Sequence, residues 1–374
     1  MNQDTYFGYN SIINVQDILK KLSPRSIFLV TGKKSFRSSG AQTFIDCIPT
    51  KYQFHNFDDF EQNPRYEEID KGIMIFNKYE CDLVIAIGGG SVIDMAKMIN
   101  CFQANKNYYD IVVHNEKISH RGKKLIVIPT TSGSGSESTH FAVVYIDKVK
   151  YSVQAPSILP DITIIDPQLT NSLSPYITAV SGLDAFCQAI ESCWSINSTK
   201  ESISLAEQSV KIIWENLFKA VHTPDNHSRT MMSLGSNLAG RAINITKTTA
   251  PHALSYYLTA NYNIPHGQAV SLFLPYFFKY NLDITENNCN DLRGSQYVID
   301  RIKSICELLN IKNYTEVQSI IQNFIKSLGV EINFRKLKLS NENFISILDN
   351  VNQDRMRNNP RIFEKVQLMK IIFP

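Results

Sequence analysis

Residues 82–97 read DLVIAIGGGSVIDMAK. The run Leu83–Ile87 is short, apolar and rich in β-branched residues, which predicts a buried strand. Gly88, Gly89 and Gly90 close it, and a helical pattern starts near Ser91. A glycine turn lets the backbone pass close to a bulky anion. The first amides of the following helix then point at that anion, aided by the helix dipole. Ser91 and Asp94 stand at the S-x-x-D spacing and predict a capping pair. The same pattern also suits a tight turn that binds nothing, because it is not the G-x-G-x-x-G spacing of the dinucleotide fingerprint.

Working outward, Ser26–Thr31, Leu125–Ile128 and Ile162–Ile165 repeat the short apolar grammar, with helical stretches between them. Strands alternating with helices predict βαβ units around a parallel sheet. A second loop, IPTTSGSGSES (128–138), follows a strand and offers Thr130, Thr131 and Ser134. Two such loops at the C-terminal ends of strands are where an open α/β sheet holds a dinucleotide. In LVTGKKSF (29–36) the first strand closes on Gly32 and Lys33, with Lys34 next and no carboxylate. An acidic residue there would hold a ribose 2′-hydroxyl, so the two lysines lean towards NADP(H) over NAD(H). They also suit a solvated corner.

After Asp166-Pro167 the pattern changes. Val317, Ile320, Ile321, Phe324 and Leu328 form an apolar stripe at helical spacing, with Thr315 placed to cap its start and Gly329 its end. Phe344, Ile347, Leu348 and Val351 repeat it behind Ser340. The expected layout is an α/β dinucleotide-binding domain over 1–166 and a helical domain over 167–374. At 374 residues the chain is long enough for two cores. A formal net charge of +3 is too small to argue for nucleic acid. No apolar run reaches the roughly 20 residues that span a bilayer. The N-terminal MNQDTYFGYNSIINV lacks the pattern of a secretory signal. Seven cysteines without regular spacing suggest reduced thiols and a cytoplasmic protein.

In GLDAFCQAIES (182–192), Asp184 and Gln188 are four residues apart, so on a helix both side chains reach one point. An Asp/His pair there would read at once as metal ligands. An Asp/Gln pair does not. Farther on, His252 and His266 are fourteen apart, flanked by Pro251 and by Pro265 and Gly267. They fit neutral imidazoles held from a helix and from the turn after it.

The ordered set GGGSVIDMAK, PTTSGSGSE, LPDITIIDP, DAFCQAIES and HALSYYLTANYNIPHG resembles the iron-dependent (group III) alcohol dehydrogenase family over nearly the whole chain. The resemblance implies a dinucleotide-binding domain, an all-helical domain, and a divalent metal and substrate in the cleft between them. By motif, the metal ligands fall on Asp184, Gln188, His252 and His266, with Gln188 where the family pattern has histidine. A glutamine oxygen is a hard neutral donor that still binds a divalent cation. Fe²⁺ is the family default, and this donor set also accepts Zn²⁺. Tyr256 stands where many members have another histidine beside the nicotinamide. A homo-oligomer, first a dimer, is implied as well.

More narrowly, DAFCQAIESCWSINST with INITKTTAPHALSYY resembles the phosphonoacetaldehyde reductase (hydroxyethylphosphonate dehydrogenase) branch, in which the glutamine is regular. Lys247 and Arg241 precede His252 by five and eleven residues, and NQDRMRNNPR (352–361) adds Arg355, Arg357 and Arg361. Lys247, Arg241 and Arg355 are candidates to hold a phosphonate, with Tyr256 and Lys247 as catalytic candidates. The implied reaction is NAD(P)H-dependent reduction of a small aldehyde. A generalist alcohol dehydrogenase, a dehydroquinate-synthase-like cyclase and an inactive nucleotide-binding relic remain as alternatives.

Overall fold

The structure, a computed structural model, describes residues 3–105, 107–147, 149–362 and 364–372. The chain divides into two compact units, Met1–Leu173 and Ser174–Pro374.

The first unit contains β1 (Asp4–Phe7), α1 (Asn14–Leu22), β2 (Ser26–Thr31), α2 (Ser35–Ser38), α3 (Ala41–Asp46) and β3 (Gln53–Phe57). It continues through α4 (Tyr66–Lys78), β4 (Leu83–Gly88), α5 (Gly90–Phe102), α6 (Tyr108–Val113), β5 (Lys124–Pro129), β6 (Phe141–Ile146), β7 (Val149–Gln154) and β8 (Ile162–Ile165). Among the described residues, six strands form a parallel sheet in the order β1-β8-β5-β4-β2-β3. Strands β6 and β7 pair as a separate antiparallel hairpin.

Alternate residues of the central strands feed two cores. Phe28, Val30, Val84, Ala86, Leu125 and Val127 pack on one face, and Ile27, Leu29, Ile85, Ile87, Ile126 and Ile128 on the other. Both faces are therefore dry, which is why these strands are continuous apolar runs rather than alternating ones. The chain runs from β2 outward to β3, then returns to the other side of β2 for β4 and β5. The order reverses between β2 and β4, which puts Gly32 and the glycine turn at the switch point.

The second unit is helical: α7 (Pro175–Trp194), α8 (Lys200–His222), α9 (Asn226–Thr246), α10 (Ala250–Tyr262), α11 (His266–Ser271) and α12 (Leu274–Leu282). It ends with α13 (Ser295–Leu308), α14 (Val317–Ser327), α15 (Asn341–Asp349), α16 (Gln353–Met356) and α17 (Lys365–Ile372). Ser174 caps α7 by accepting from Ile177 N, with proline at the first turn. From Gly182 to Trp194 every residue of α7 is buried, because α8, α9, α11 and α13 pack around it. A helix enclosed this way carries its polar residues into the interior, where each needs a partner.

The fold class is the expected one: a parallel α/β unit followed by a helical unit. Details differ. Thr315 does not cap α14. Asn313 accepts from Thr315 N and Thr315 Oγ1 one turn earlier, and a short 3₁₀ turn intervenes. Ser340 does cap α15, accepting from Asn343 N. Among the described residues, no helix is long and apolar enough to cross a membrane.

Candidate functional site

The two loops singled out in the first unit meet. Thr130 N donates to Gly88 O at 3.0 Å. A Cβ on Gly90 would lie 2.6 Å from Ser134 Oγ, and one on Gly89 would lie 3.4 Å from Thr131. Bare backbone at Gly90 keeps the two loops together and leaves a cradle against the first turn of α5, a fit for a dinucleotide's phosphates. A Cβ on Gly32 would fall 2.4 Å from Ser35 Oγ, so this strand end is equally tight.

The expected Ser91–Asp94 capping pair does not form. Gly89 precedes α5 with no side-chain cap, and Ser91 Oγ accepts from Asn63 N. Asp94 turns instead to Ser136 Oγ and to Val143 N. The reason is burial: Asp94 needs donors in the interior, and the second loop and β6 supply them. Lys97, one turn on and 1% exposed, donates to Ser136 O at 2.6 Å, Thr139 O at 2.8 Å and Phe141 O at 2.9 Å. Burial pushes this ammonium down to about 8, against the pull of the Asp94 and Glu137 charges. Asp94 and Lys97 thus clamp the second loop onto α5. Lys97→Met is expected to leave those carbonyls dry and to lower stability by about 2 kcal/mol. A thermal melt with a cofactor titration checks it: the melting temperature falls and the cofactor Kd rises together.

In the second unit, donor atoms of Asp184, His252 and His266 all lie within 4.8 Å of one another. Asp184 comes from the middle of α7 and His252 from the first turn of α10. His266 opens α11, where a Cβ on Gly267 would sit 1.8 Å from Val180 O. Only glycine permits that approach, which brings α11 onto α7 and His266 beside Asp184. Gln188 Nε2 donates to Asp184 Oδ1 at 3.1 Å, so the fourth residue is in the same cluster, with its amide oxygen buried. One carboxylate, two imidazoles and an amide form a donor set suited to a divalent transition metal, and the fit is good.

Glu191 completes the cluster, and the sequence reading missed it. This fully buried carboxylate contacts His252 Nδ1 through Oε1. Its Oε2 accepts from Thr249 N at 2.6 Å and Thr249 Oγ1 at 2.8 Å. With Nδ1–H held by Glu191, His252 presents Nε2 to the centre, where Asp184 Oδ1 is 3.3 Å away. Burial pushes the ring's pKa down, but the Glu191 charge and the bonds to Asp184 and Glu191 outweigh it and lift it to about 10. A cation bound at the centre would take the place of that proton. The signal was available: Glu191 lies seven residues after Asp184, on the same helical face.

Tyr256 is half-buried, its ring 5.8 Å from that of His266. Lys247 follows α9 with φ 59° and ψ 177°, a backbone region that only glycine adopts readily. Burial lowers its ammonium pKa, and the nearby Arg355 charge lowers it further, with Asp354 opposing. Arg355 is itself buried on α16, which packs against α10. Lys247, just before α10, and Arg355, on α16, therefore lie on segments that adjoin the helix carrying His252. Arg241 and Arg357 are exposed. Arg361 is buried against Tyr280, donating to its carbonyl and stacking 4.1 Å over its ring.

The iron-containing alcohol dehydrogenase model matches residues 2–167, and the C-terminal model of the Fe-containing alcohol dehydrogenase family matches residues 178–373. The chain is a metal-dependent, NAD(P)-linked alcohol dehydrogenase. It belongs to the iron-containing alcohol dehydrogenase family. It is 31% identical over 281 residues to long-chain-alcohol dehydrogenase 1 of Geobacillus thermodenitrificans (strain NG80-2), covering 74% of this chain and 71% of that one. To the NADPH-dependent butanol dehydrogenase of Clostridium saccharobutylicum it is 27% identical, covering 99% and 95%. The crystal structure of sulfoacetaldehyde reductase from Bifidobacterium kashiwanohense in complex with NAD+ superposes with a TM-score of 0.88 at 28% identity, covering 99% and 96%.

Proposed function

We propose that this dehydrogenase reduces a small anionic aldehyde, phosphonoacetaldehyde to 2-hydroxyethylphosphonate, with NADPH. The observation that carries the proposal is the placement of Lys247 and Arg355: the turn after Arg355 is bonded through Asn358 to Thr248 O, next to Lys247, and α16 packs against α10, the helix of His252. A phosphonate dianion matches two cations on adjoining segments. The likeness to sulfoacetaldehyde reductase supports an anionic aldehyde and makes the sulfonate the rival substrate.

When bound, the divalent cation, Fe²⁺ first, polarises the aldehyde oxygen, and the reduced nicotinamide supplies hydride. Asp184, Gln188, His252 and His266 would hold the cation. Glu191 orients His252. Tyr256, beside His266, carries the phenol that returns a proton to the product oxygen. Lys247 and Arg355 hold the substrate's anionic end. In the first unit, Gly32, Lys33, Gly88, Gly89, Gly90, Ser91, Asp94, Thr130, Thr131 and Ser134 form or support the cofactor cradle. At the ends of β2 and β3 an open cavity of about 690 Å³ is lined by Lys33, Lys34 and Arg37, with Asp46 and Asp58 on the same wall. Lys33 lies 3.8 Å from Asp59 and from Glu61, so Lys34 and Arg37 are the cations we assign to a 2′-phosphate.

Steady-state kinetics of metal-reconstituted enzyme test this with phosphonoacetaldehyde, sulfoacetaldehyde and acetaldehyde, each with NADPH and NADH. The expected order of kcat/KM is phosphonate, sulfonate, neutral. Equal values for phosphonoacetaldehyde and acetaldehyde would end the anionic proposal. Gln188→Ala is expected to weaken metal affinity about tenfold or more. Unchanged metal affinity would remove Gln188 from the ligand set and leave it as the residue that steadies Asp184.

A further inference from the structure

We infer that Asn358 is a positioning residue that sets selectivity for the anionic substrate. The inference rests on the anionic-substrate proposal above.

The segment 246–249 joins the end of α9 to the start of α10 and carries both halves of the site. Thr249 is bound to Glu191, and through it to His252. Two residues earlier stands Lys247, in a backbone conformation that its own Cβ disfavours. Such a conformation persists only where the surroundings over-determine it, and here the holding contacts can be named. Ser195 Oγ donates to Thr246 O at 3.2 Å, and Thr246 Oγ1 donates to Lys247 O at 2.8 Å. The next carbonyl, Thr248 O, accepts from Asn358 Nδ2 at 3.0 Å in a buried setting.

Asn358 is itself fixed from three directions. Its Oδ1 accepts from Asn197 Nδ2 at 2.9 Å, and its carbonyl accepts from Ile196 N at 3.1 Å. Its own N–H donates to Arg355 O at 3.2 Å, closing the turn that follows α16. One side chain therefore ties the backbone beside Lys247 to the turn that begins with Arg355. Separation of the two cations is set through it, while the bonds of Glu191 to Thr249 and His252 do not involve it. Loosening Asn358 lets the Lys247 backbone relax and the cation pair spread, which weakens a doubly charged anion more than a neutral aldehyde.

The test uses Asn358→Leu, which keeps the shape and removes the two side-chain hydrogen bonds. With reconstituted holoenzyme, the kcat/KM ratio of phosphonoacetaldehyde to acetaldehyde is expected to fall about tenfold, mainly through KM. Metal content should stay within error of the parent. Asn197→Ala, which frees the Asn358 amide without touching Thr248, should lower the ratio in the same direction. It serves if Asn358→Leu does not fold. In a Lys247→Gly background, Asn358→Leu should change the ratio no further. Lys247→Ala is run beside them. If it collapses the ratio while both asparagine variants keep it, Asn358 has no positioning role and the inference fails alone. If neither lysine nor asparagine changes move it, the anionic proposal fails with it.

Discussion

Replacing Lys247 by glycine is expected to make the folded enzyme more stable and less able to use an anionic aldehyde. At φ 59° and ψ 177° the residue sits where a Cβ is crowded, at a cost of about 1–3 kcal/mol. Glycine relieves that crowding but gives up roughly 0.5–1 kcal/mol in unfolded-chain entropy. The same change removes a positive charge that is disfavoured by the nearby Arg355 charge. A net gain of about 1 kcal/mol is the expected balance. Lys247→Ala removes the charge but keeps the β-carbon, so it should be less stable than Lys247→Gly. Both variants lose a charge-assisted contact, which is expected to lower kcat/KM for phosphonoacetaldehyde about ten- to hundredfold. Thermal melts of the two variants beside the parent, with KM for both aldehydes, check this. A glycine variant no more stable than the alanine one would show that the backbone conformation carries no strain.

Glu191→Gln should yield a folded protein that holds metal poorly. The wild-type carboxylate accepts on both sides, from Thr249 with one oxygen and from His252 Nδ1 with the other. An amide can accept on one side only. If its oxygen stays with Thr249, its NH₂ faces His252 and demands a lone pair on Nδ1. The imidazole proton then moves to Nε2, the nitrogen that faces Asp184 and the cation site. The expected loss is about a hundredfold in metal affinity, with most of the fold's stability kept. Glu191→Leu is harsher. It strands the Thr249 donors and the His252 ring in a dry interior, at about 3–5 kcal/mol. Metal content after dialysis against a weak chelator, read beside a circular-dichroism melt, separates the two. Full metal retention by Glu191→Gln would exclude tautomer control by this residue.

Where a segment buries both faces, its composition carried the structure. The strands β2, β4, β5 and β8 are wholly or almost wholly buried, and their apolar runs marked them. The edge strands β1 and β3 bury only part of their surface, and Asp4–Phe7 and Gln53–Phe57 carry no such run. Caps were legible only where the helix start was unambiguous, as at Ser340. At α5 the glycine turn itself makes the N-terminus, which left Ser91 and Asp94 to other partners.

Sequence by itself determined the class of fold and marked the two loops and the Asp184, His252 and His266 positions that the structure brings to common points. Residue type and spacing along one helix or one turn suffice for those, since the geometry that matters is local. Tertiary structure alone decided that Glu191 fixes the His252 tautomer and that Asp94 and Lys97 clamp the second loop onto α5. It alone set Lys247 in a glycine-type backbone, on a segment bonded through Asn358 to the turn after the buried Arg355. Each of these depends on a partner 39 or more residues away in the chain, reached only when buried helices bring their polar groups to a common point and every one must find a mate.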